Sequence, residues 1–223
     1  MDKFDFSAVL AASVHDMKNS LGGIRTSLSH LAAACDNSQR QDFAFLEQQT
    51  DRMNNCLLQL LILYKIDVHR LAPDIDAHAA SDILEEVLAR QTGFPEMKRL
   101  EVQGECTGEF SCYCDQRLLC SALEGLLNNA QRYAKGRILL SAAQQGDLTT
   151  FSIEDDGPGF SPEQLAAGPD RLAENDLGNG NTGLGMFFVS RIAAMHRHKG
   201  KTGHISFGND SRLGGARFTL FLP

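Results

Sequence analysis

Apolar residues recur four and three apart along the first third of the chain: Leu10, Val14, Met17, Leu21, Ile24, Leu28 and Leu31. That spacing keeps one stripe of a helix apolar and is the seam of a left-handed coiled coil or bundle. Phe43, Leu46, Met53, Leu57, Leu60 and Tyr64 continue it, with Thr50 filling one slot. Between the runs, Cys35 to Asp42 (CDNSQRQD) reads as a turn, with Asp36, Asn37 and Ser38 as candidate caps. The pattern predicts an antiparallel helical hairpin. Two helices cannot enclose an apolar seam. A second copy completing a four-helix bundle is therefore predicted, making the chain a homodimer. Packing of the hairpin against the chain's own second domain is the competing arrangement.

The spacing breaks at Arg70 to Asp76 (RLAPDID), where Pro73 is predicted to end the second helix or begin a linker. This gives a helical domain over 1–72 and a second domain over 73–223. In the second, Ile83 to Leu88 is a short amphipathic helix, and helical patterns lie at Gln116 to Tyr133 and Leu184 to Met195. Strand-like runs occupy Leu100 to Val102, Ile138 to Ser141, Thr149 to Ile153, His204 to Phe207 and Ala216 to Leu222. They interleave without a regular βαβ rhythm, so the expected class is an α+β sandwich.

A 43% hydrophobic content over 223 residues supports real cores in both domains. The net charge of -7 disfavours a non-specific nucleic-acid binder. No apolar run approaches the ~20 residues that span a bilayer, and Met1 to Leu10 lacks a signal-peptide pattern. The expected compartment is the cytoplasm, where the six cysteines are thiols. Cys112 and Cys114, with Cys106 and Cys120 nearby, read better as buried thiols than as zinc ligands. His196, His198 and His204 lie among Arg197, Lys199 and Lys201, and read as a solvated basic loop.

Four segments carry chemistry. With the seam at heptad positions a and d, His15 falls at b, Asp16 at c and Asn19 at f. An exposed imidazole thus stands beside a carboxylate that can hold its tautomer and take its proton. Asn19 could position a water or a phosphoryl oxygen. On the stripe of Leu123, Leu126, Leu127 and Ala130, Asn129 is one step off the apolar face, and its oxygen suits Mg²⁺. Arg132 and Tyr133 stand just beyond. In Phe151 to Phe160 (FSIEDDGPGF) a strand runs into acidic residues and glycines. Asp155 there can accept from an adenine amino group, while Gly157 and Gly159 let a base approach the backbone. Finally, a glycine-rich loop enters a helix near Leu184, where free N–H groups suit phosphates. Singly, each has a bland alternative: a surface histidine, an amphipathic helix, a plain turn, a flexible loop.

In this order the segments resemble the sensor histidine kinases of two-component signalling. His15 to Leu21 (HDMKNSL) resembles their phosphoacceptor box, Leu126 to Tyr133 (LLNNAQRY) the N box, Asp155 to Gly159 (DDGPG) the G1 box, and Asn181 to Met186 (NTGLGM) the G2 box. The closing GGARFTLFLP is similar to the family's last strand. The resemblance implies a dimerisation and phosphoacceptor hairpin followed by a Bergerat-type ATP-binding domain. It implies that His15 accepts the γ-phosphoryl group of ATP, with Asp16 as base and Asn19 supporting dephosphorylation of a partner. Asn129 would hold Mg²⁺, Asp155 would read adenine, and Gly183 and Gly185 would line the phosphates. Arg132, Tyr133, Gly157, Gly159, Thr182 and Leu184 complete the implied nucleotide site. The implied partner is the receiver domain of a response regulator.

The sequence departs from the family at Gly125, where an N-box asparagine is common, and at Asn181, which replaces the first G2 glycine. Ser161 to Gly180, which should cover the nucleotide, lacks a recognisable phenylalanine motif and is expected to be mobile until ATP binds. About a dozen residues precede His15, too few for a sensor domain, and Pro223 ends the sequence. Input is therefore expected from a separate protein or small ligand. The alternatives are a phosphotransfer or regulatory adaptor with a vestigial ATP site, and an ATPase of the chaperone or topoisomerase kind.

Overall fold

The computed structural model describes residues 6–34, 39–90, 100–175 and 184–223. Contacts divide the chain into two units, Met1–Ala72 and Pro73–Pro223.

The first unit is a hairpin of α1 (Phe6–Ala34) and α2 (Arg40–Asp67). Arg25 Nη1 lies 3.5 Å from Asp51 Oδ1, and Ser29 Oγ donates to Glu47 Oε1 at 2.8 Å, tying the helices across the pair. The apolar seam divides in two. Val14, Leu21 and Thr50 are buried within the hairpin. Met17, Ile24, Leu31, Leu46, Met53 and Leu60 remain 42–57% exposed. Val14 and Leu21 are seven residues apart, as are successive members of the exposed set in each helix. One seam position thus closes the hairpin and the other faces outward. The candidate caps Asp36 to Ser38 lie outside the described residues. The far end of α2 departs from expectation. It stops at Asp67, well before Pro73. His69 there has φ +55°. Its N–H donates to Ile66 O at 3.0 Å and that of Arg70 to Lys65 O at 2.8 Å. This is a Schellman closure, built on histidine where glycine is usual.

The second unit centres on a five-stranded sheet in the order β2 (Glu101–Cys106), β4 (Arg137–Gln145), β5 (Leu148–Asp155), β9 (Arg217–Leu222), β8 (His204–Gly208). The β2–β4 pair is parallel and the rest are antiparallel. Side chains alternate across the sheet. Phe151 and Ile153 of β5 stand beside Leu140 and Ala142 of β4 and Leu220 and Phe218 of β9 in the buried apolar layer. The helices α3 (Ala80–Ala89), α4 (Gln116–Tyr133) and α6 (Leu184–Met195) supply the rest of the core through Ile83, Leu119, Leu123, Leu127, Phe188 and Ile192. On the opposite face of β5, Ser152 and Thr219 share a 3.0 Å hydrogen bond. A small sheet pairs β1 (Asp76–Ala79) with β3 (Ser111–Cys114), and β6 (Arg197–His198) pairs with β7 (Lys201–Thr202).

Asp115 fastens this unit. Its Oδ1 caps α4 by accepting from Leu118 N–H, and its Oδ2 accepts from Asp74 N–H, both at 3.0 Å. Its own N–H donates to His196 Nε2 at 3.0 Å, and His196 Nδ1 meets Ile192 O at 2.8 Å. His196 is therefore not part of a solvated loop. It is 1% exposed and joins the end of α6 to the start of α4. Only His198 and His204 are exposed as expected. Accepting at Nε2 and donating from Nδ1 fixes one neutral tautomer, and burial depresses its pKa. The thiols of Cys112, Cys114 and Cys120 are buried. The Sγ atoms of the first two lie 3.7 Å apart. Burial first, then Glu86, pushes the Cys120 thiol up to about 12.

Candidate functional site

In α1, His15 and Asp16 are open to solvent, with side chains 71% and 84% exposed. One helical turn on, Asn19 Nδ2 lies 3.2 Å from His15 Nδ1. Asp16 Oδ1 lies 3.7 Å from that same nitrogen. Both neighbours address Nδ1, so Nε2 is the nitrogen turned to solvent. They ask opposite things of it. An amide N–H needs an Nδ1 lone pair, whereas a carboxylate needs an Nδ1 proton.

In the second unit, strand alternation aims Asp155 into the helix-covered layer, in step with Phe151 and Ile153. Its side chain is 2% exposed. Oδ1 accepts from Gly157 N–H at 2.7 Å and Ala216 N–H at 3.2 Å. Burial raises its pKa against the pull of those two N–H groups, and Asp156 adds to the rise. Asp156 differs. Burial would raise it too, but N–H groups of Gly136, Arg137 and Lys135 outweigh that and hold it below the ordinary carboxylate range.

Gly157 stands where no side chain fits. A Cβ there would lie 2.6 Å from Tyr133 O and 2.8 Å from Asp155 Oδ1. The turn after β5 thus lies directly on the last residue of α4. Gly159 has φ +74°, a left-handed conformation. Asn129 is half-buried on α4, and a Cβ at Gly185 would approach its Nδ2 at 3.8 Å. Leu184 and Gly185 open α6. Arg132 and Tyr133 are exposed at the end of α4, with the guanidinium 5.4 Å from the ring centroid. The structure therefore brings Asn129, Tyr133, Asp155, Gly157 and Gly185 around the meeting of α4, α6 and the end of β5. Thr182 and Gly183 lie outside the described residues.

Sequence reasoning missed the loop 209–216. Gly215 N–H donates to Asp155 O at 3.0 Å, and Ser211 Oγ donates to the same carbonyl at 2.8 Å. A Cβ at Gly215 would lie 2.5 Å from Gly157 N. Arg212 donates from its backbone N–H and its Nε to buried Glu154, at 2.6 and 2.9 Å. The available signal is the Gly214-Gly215 pair directly before the last strand. The segment after Gly159 is also more regular than expected. It begins helix α5 (Pro162–Asn175), kinked at Gly168.

The donor set suits a nucleotide more than a self-sufficient metal centre. Among the described residues no three His, Cys, Asp or Glu side chains gather as metal ligands. A divalent ion would thus depend on Asn129 and on oxygens brought by a ligand.

Residues 114–223 match the family described as histidine kinase-, DNA gyrase B-, and HSP90-like ATPase. The chain is 31% identical over 188 residues to the sensor histidine kinase CpxA of Escherichia coli, covering 80% of this chain and 38% of CpxA. It is 27% identical over 222 residues to the sensor protein RstB of the same organism, covering 94% of this chain and 47% of RstB. The chain thus spans half or less of the length of these curated relatives. Its fold is similar to full-length ShkA crystallised with AMPPNP, with a TM-score of 0.68 at 21% identity over 97% of this chain and 45% of ShkA. Among the described residues no helix is long and apolar enough to cross a membrane.

Proposed function

Since the chain belongs to the histidine kinases of two-component systems, we propose that it phosphorylates His15 from ATP and passes the phosphoryl group to an aspartate on a response-regulator receiver domain. The observation that carries this reading is the pairing of a solvent-facing His15, flanked by Asp16 and Asn19, with a separate unit in which Asn129, Asp155, Gly157 and Gly185 converge. That convergence also speaks against a vestigial site.

Asp155 would accept from the adenine amino group through Oδ2, since Oδ1 is engaged by Gly157 and Ala216. Gly157 would let the base lie against the backbone. The N–H groups around Leu184 and Gly185, with Thr182 and Gly183 before them, would face the phosphates, and Arg132 would add charge near them. Asn129 would hold Mg²⁺, whose contribution is to neutralise charge on the phosphates. At His15 the Nε2 lone pair forms the P–N bond as the bond from γ-phosphorus to the leaving oxygen of ADP breaks. The Nδ1 proton passes to Asp16. When Asn19 instead donates to Nδ1, the proton sits on Nε2 and attack is blocked. Asn19 is then placed to orient a water for dephosphorylation of the partner.

The outward half of the seam supports a homodimer. Six large apolar side chains per hairpin stay about half exposed, and burying each remainder contributes roughly 1 kcal/mol. A second hairpin supplies the matching stripe.

The test is incubation with Mg²⁺ and γ-labelled ATP. Label should appear on the protein, be lost in acid, and vanish in His15→Ala. Acid-stable label, or label that persists without His15, would overturn the assignment.

A further inference from the structure

We infer that Asn209, on the loop between β8 and β9, is a positioning residue for the nucleotide site. It fixes the point at which the chain leaves the glycine turn after Asp155. The inference rests on the nucleotide reading above.

Asn209 grips Phe160 by both faces of its carboxamide. Phe160 N–H donates to Asn209 Oδ1 at 2.7 Å, and Asn209 Nδ2 donates to Phe160 O at 2.9 Å. The side chain occupies space left by the neighbouring glycine. A Cβ at Gly159 would lie 2.5 Å from Oδ1 and 2.9 Å from Cγ of Asn209. Gly159 is thus required twice, by its left-handed φ and by the amide lodged against it. The Phe160 ring is held as well, 4.9 Å from Phe207 and 5.0 Å from Phe218 between centroids. Immediately afterwards Ser161 N–H donates to Gln164 Oε1 at 2.8 Å and Gln164 N–H to Ser161 Oγ at 3.3 Å. That reciprocal capping box starts α5 at a defined residue.

The loop therefore holds the acid-and-glycine turn at both ends. Ser211 and Gly215 hold the Asp155 carbonyl, and Asn209 holds Phe160. Without Asn209 the Asp155 end stays fixed while the glycine end loses its anchor. Adenine contact would survive, but the turn and the start of α5 would no longer be set in place beforehand, which weakens binding.

The experiment measures ADP binding to the full chain by calorimetry. Asn209→Ala should weaken ADP about fivefold to tenfold, as expected for losing a paired hydrogen bond. Asn209→Asp keeps the shape but replaces the donor with an acceptor facing a carbonyl. It should be at least as weak at pH 7.5 and recover towards pH 5, as the introduced carboxyl gains a proton and can donate. Each value is taken relative to the unaltered protein at the same pH. Asp210→Ala, which removes only the 3.4 Å contact with Arg217, should stay within about twofold by the same reasoning. If Asn209→Ala binds normally while Asp155→Asn loses ADP, the positioning role is wrong and the nucleotide reading stands. A loss in Asp210→Ala equal to that in Asn209→Ala, or no acid recovery in Asn209→Asp, also overturns it. If the unaltered chain ignores ADP, or Asp155→Asn binds it equally well, the nucleotide reading fails and this inference falls with it.

Discussion

Asp155 and Asp156 are adjacent in sequence, yet their surroundings push their protons in opposite directions. Burial raises Asp155, so the folded chain holds that proton to higher pH than the unfolded chain does. Stability therefore falls as pH rises from the ordinary carboxylate range through the folded value, and is level beyond it. Asp155→Asn removes that cost, and its carbonyl oxygen can still accept from Gly157 and Ala216. We predict an equal or higher urea midpoint at pH 7, together with at least about tenfold weaker ADP binding. Unchanged affinity would exclude Asp155 as the adenine reader. His196 carries the other sign. Its folded pKa is depressed by burial, so below its ordinary value near ~6.5 the unfolded chain binds more protons and stability falls with pH. His196→Leu strands Asp115 N–H and Ile192 O. It should cost about 2–3 kcal/mol at pH 7 by urea unfolding. It should also remove the acid-side loss between pH 7 and 5. Because Asp155 acts oppositely there, the difference between the two proteins is the quantity to read.

At the scale of elements, spacing makes helices legible. The seam residues Val14, Met17, Leu21 and Ile24 all report one helix face. Spacing does not say which alternate member closes the hairpin, because both kinds are equally apolar. The structure separates them, and the exposed set makes a prediction. Ile24→Glu combined with Met53→Glu places charge only on the outward stripe. It should leave helicity unchanged and shift the chain from dimer to monomer in sedimentation equilibrium. A dimer that tolerates both charges would mean the stripe is not the interface. The strand after Leu148 was legible too, since its β-branched and aromatic residues run straight into the acids and glycines that end it. The end of α2 was not. Pro73 is a visible breaker, but the chain had already stopped at His69 through backbone bonds that no residue type advertises. His196 was misjudged for a related reason. Its neighbours Arg197 and Lys199 are solvated, while its own ring turns back under α6.

For the molecule as a whole, two units of different construction invite separate responses. ADP at a hundredfold excess over its dissociation constant should raise the stability of the Pro73–Pro223 unit by about 2.7 kcal/mol. In calorimetry this predicts two unfolding transitions, of which nucleotide moves only one; a single transition that shifts as a whole would show the units to be coupled. Candidate positions were legible where a side chain of distinctive chemistry stands in a recognisable pattern, as at His15, Asn129 and Asp155. The loop 209–216 was not legible, because Gly215 and Ala216 meet Asp155 through main-chain groups, and Asn209 and Ser211 are ordinary turn residues whose bonds to Phe160 and Asp155 are set only by the fold. The corner at His69 has a mechanical consequence. A glycine there would have a broad range of left-handed and extended angles and would act as a swivel. Histidine has only a narrow well at φ +55°, so a twist imposed on α2 is carried into residues 70–73 instead of being dissipated at the joint.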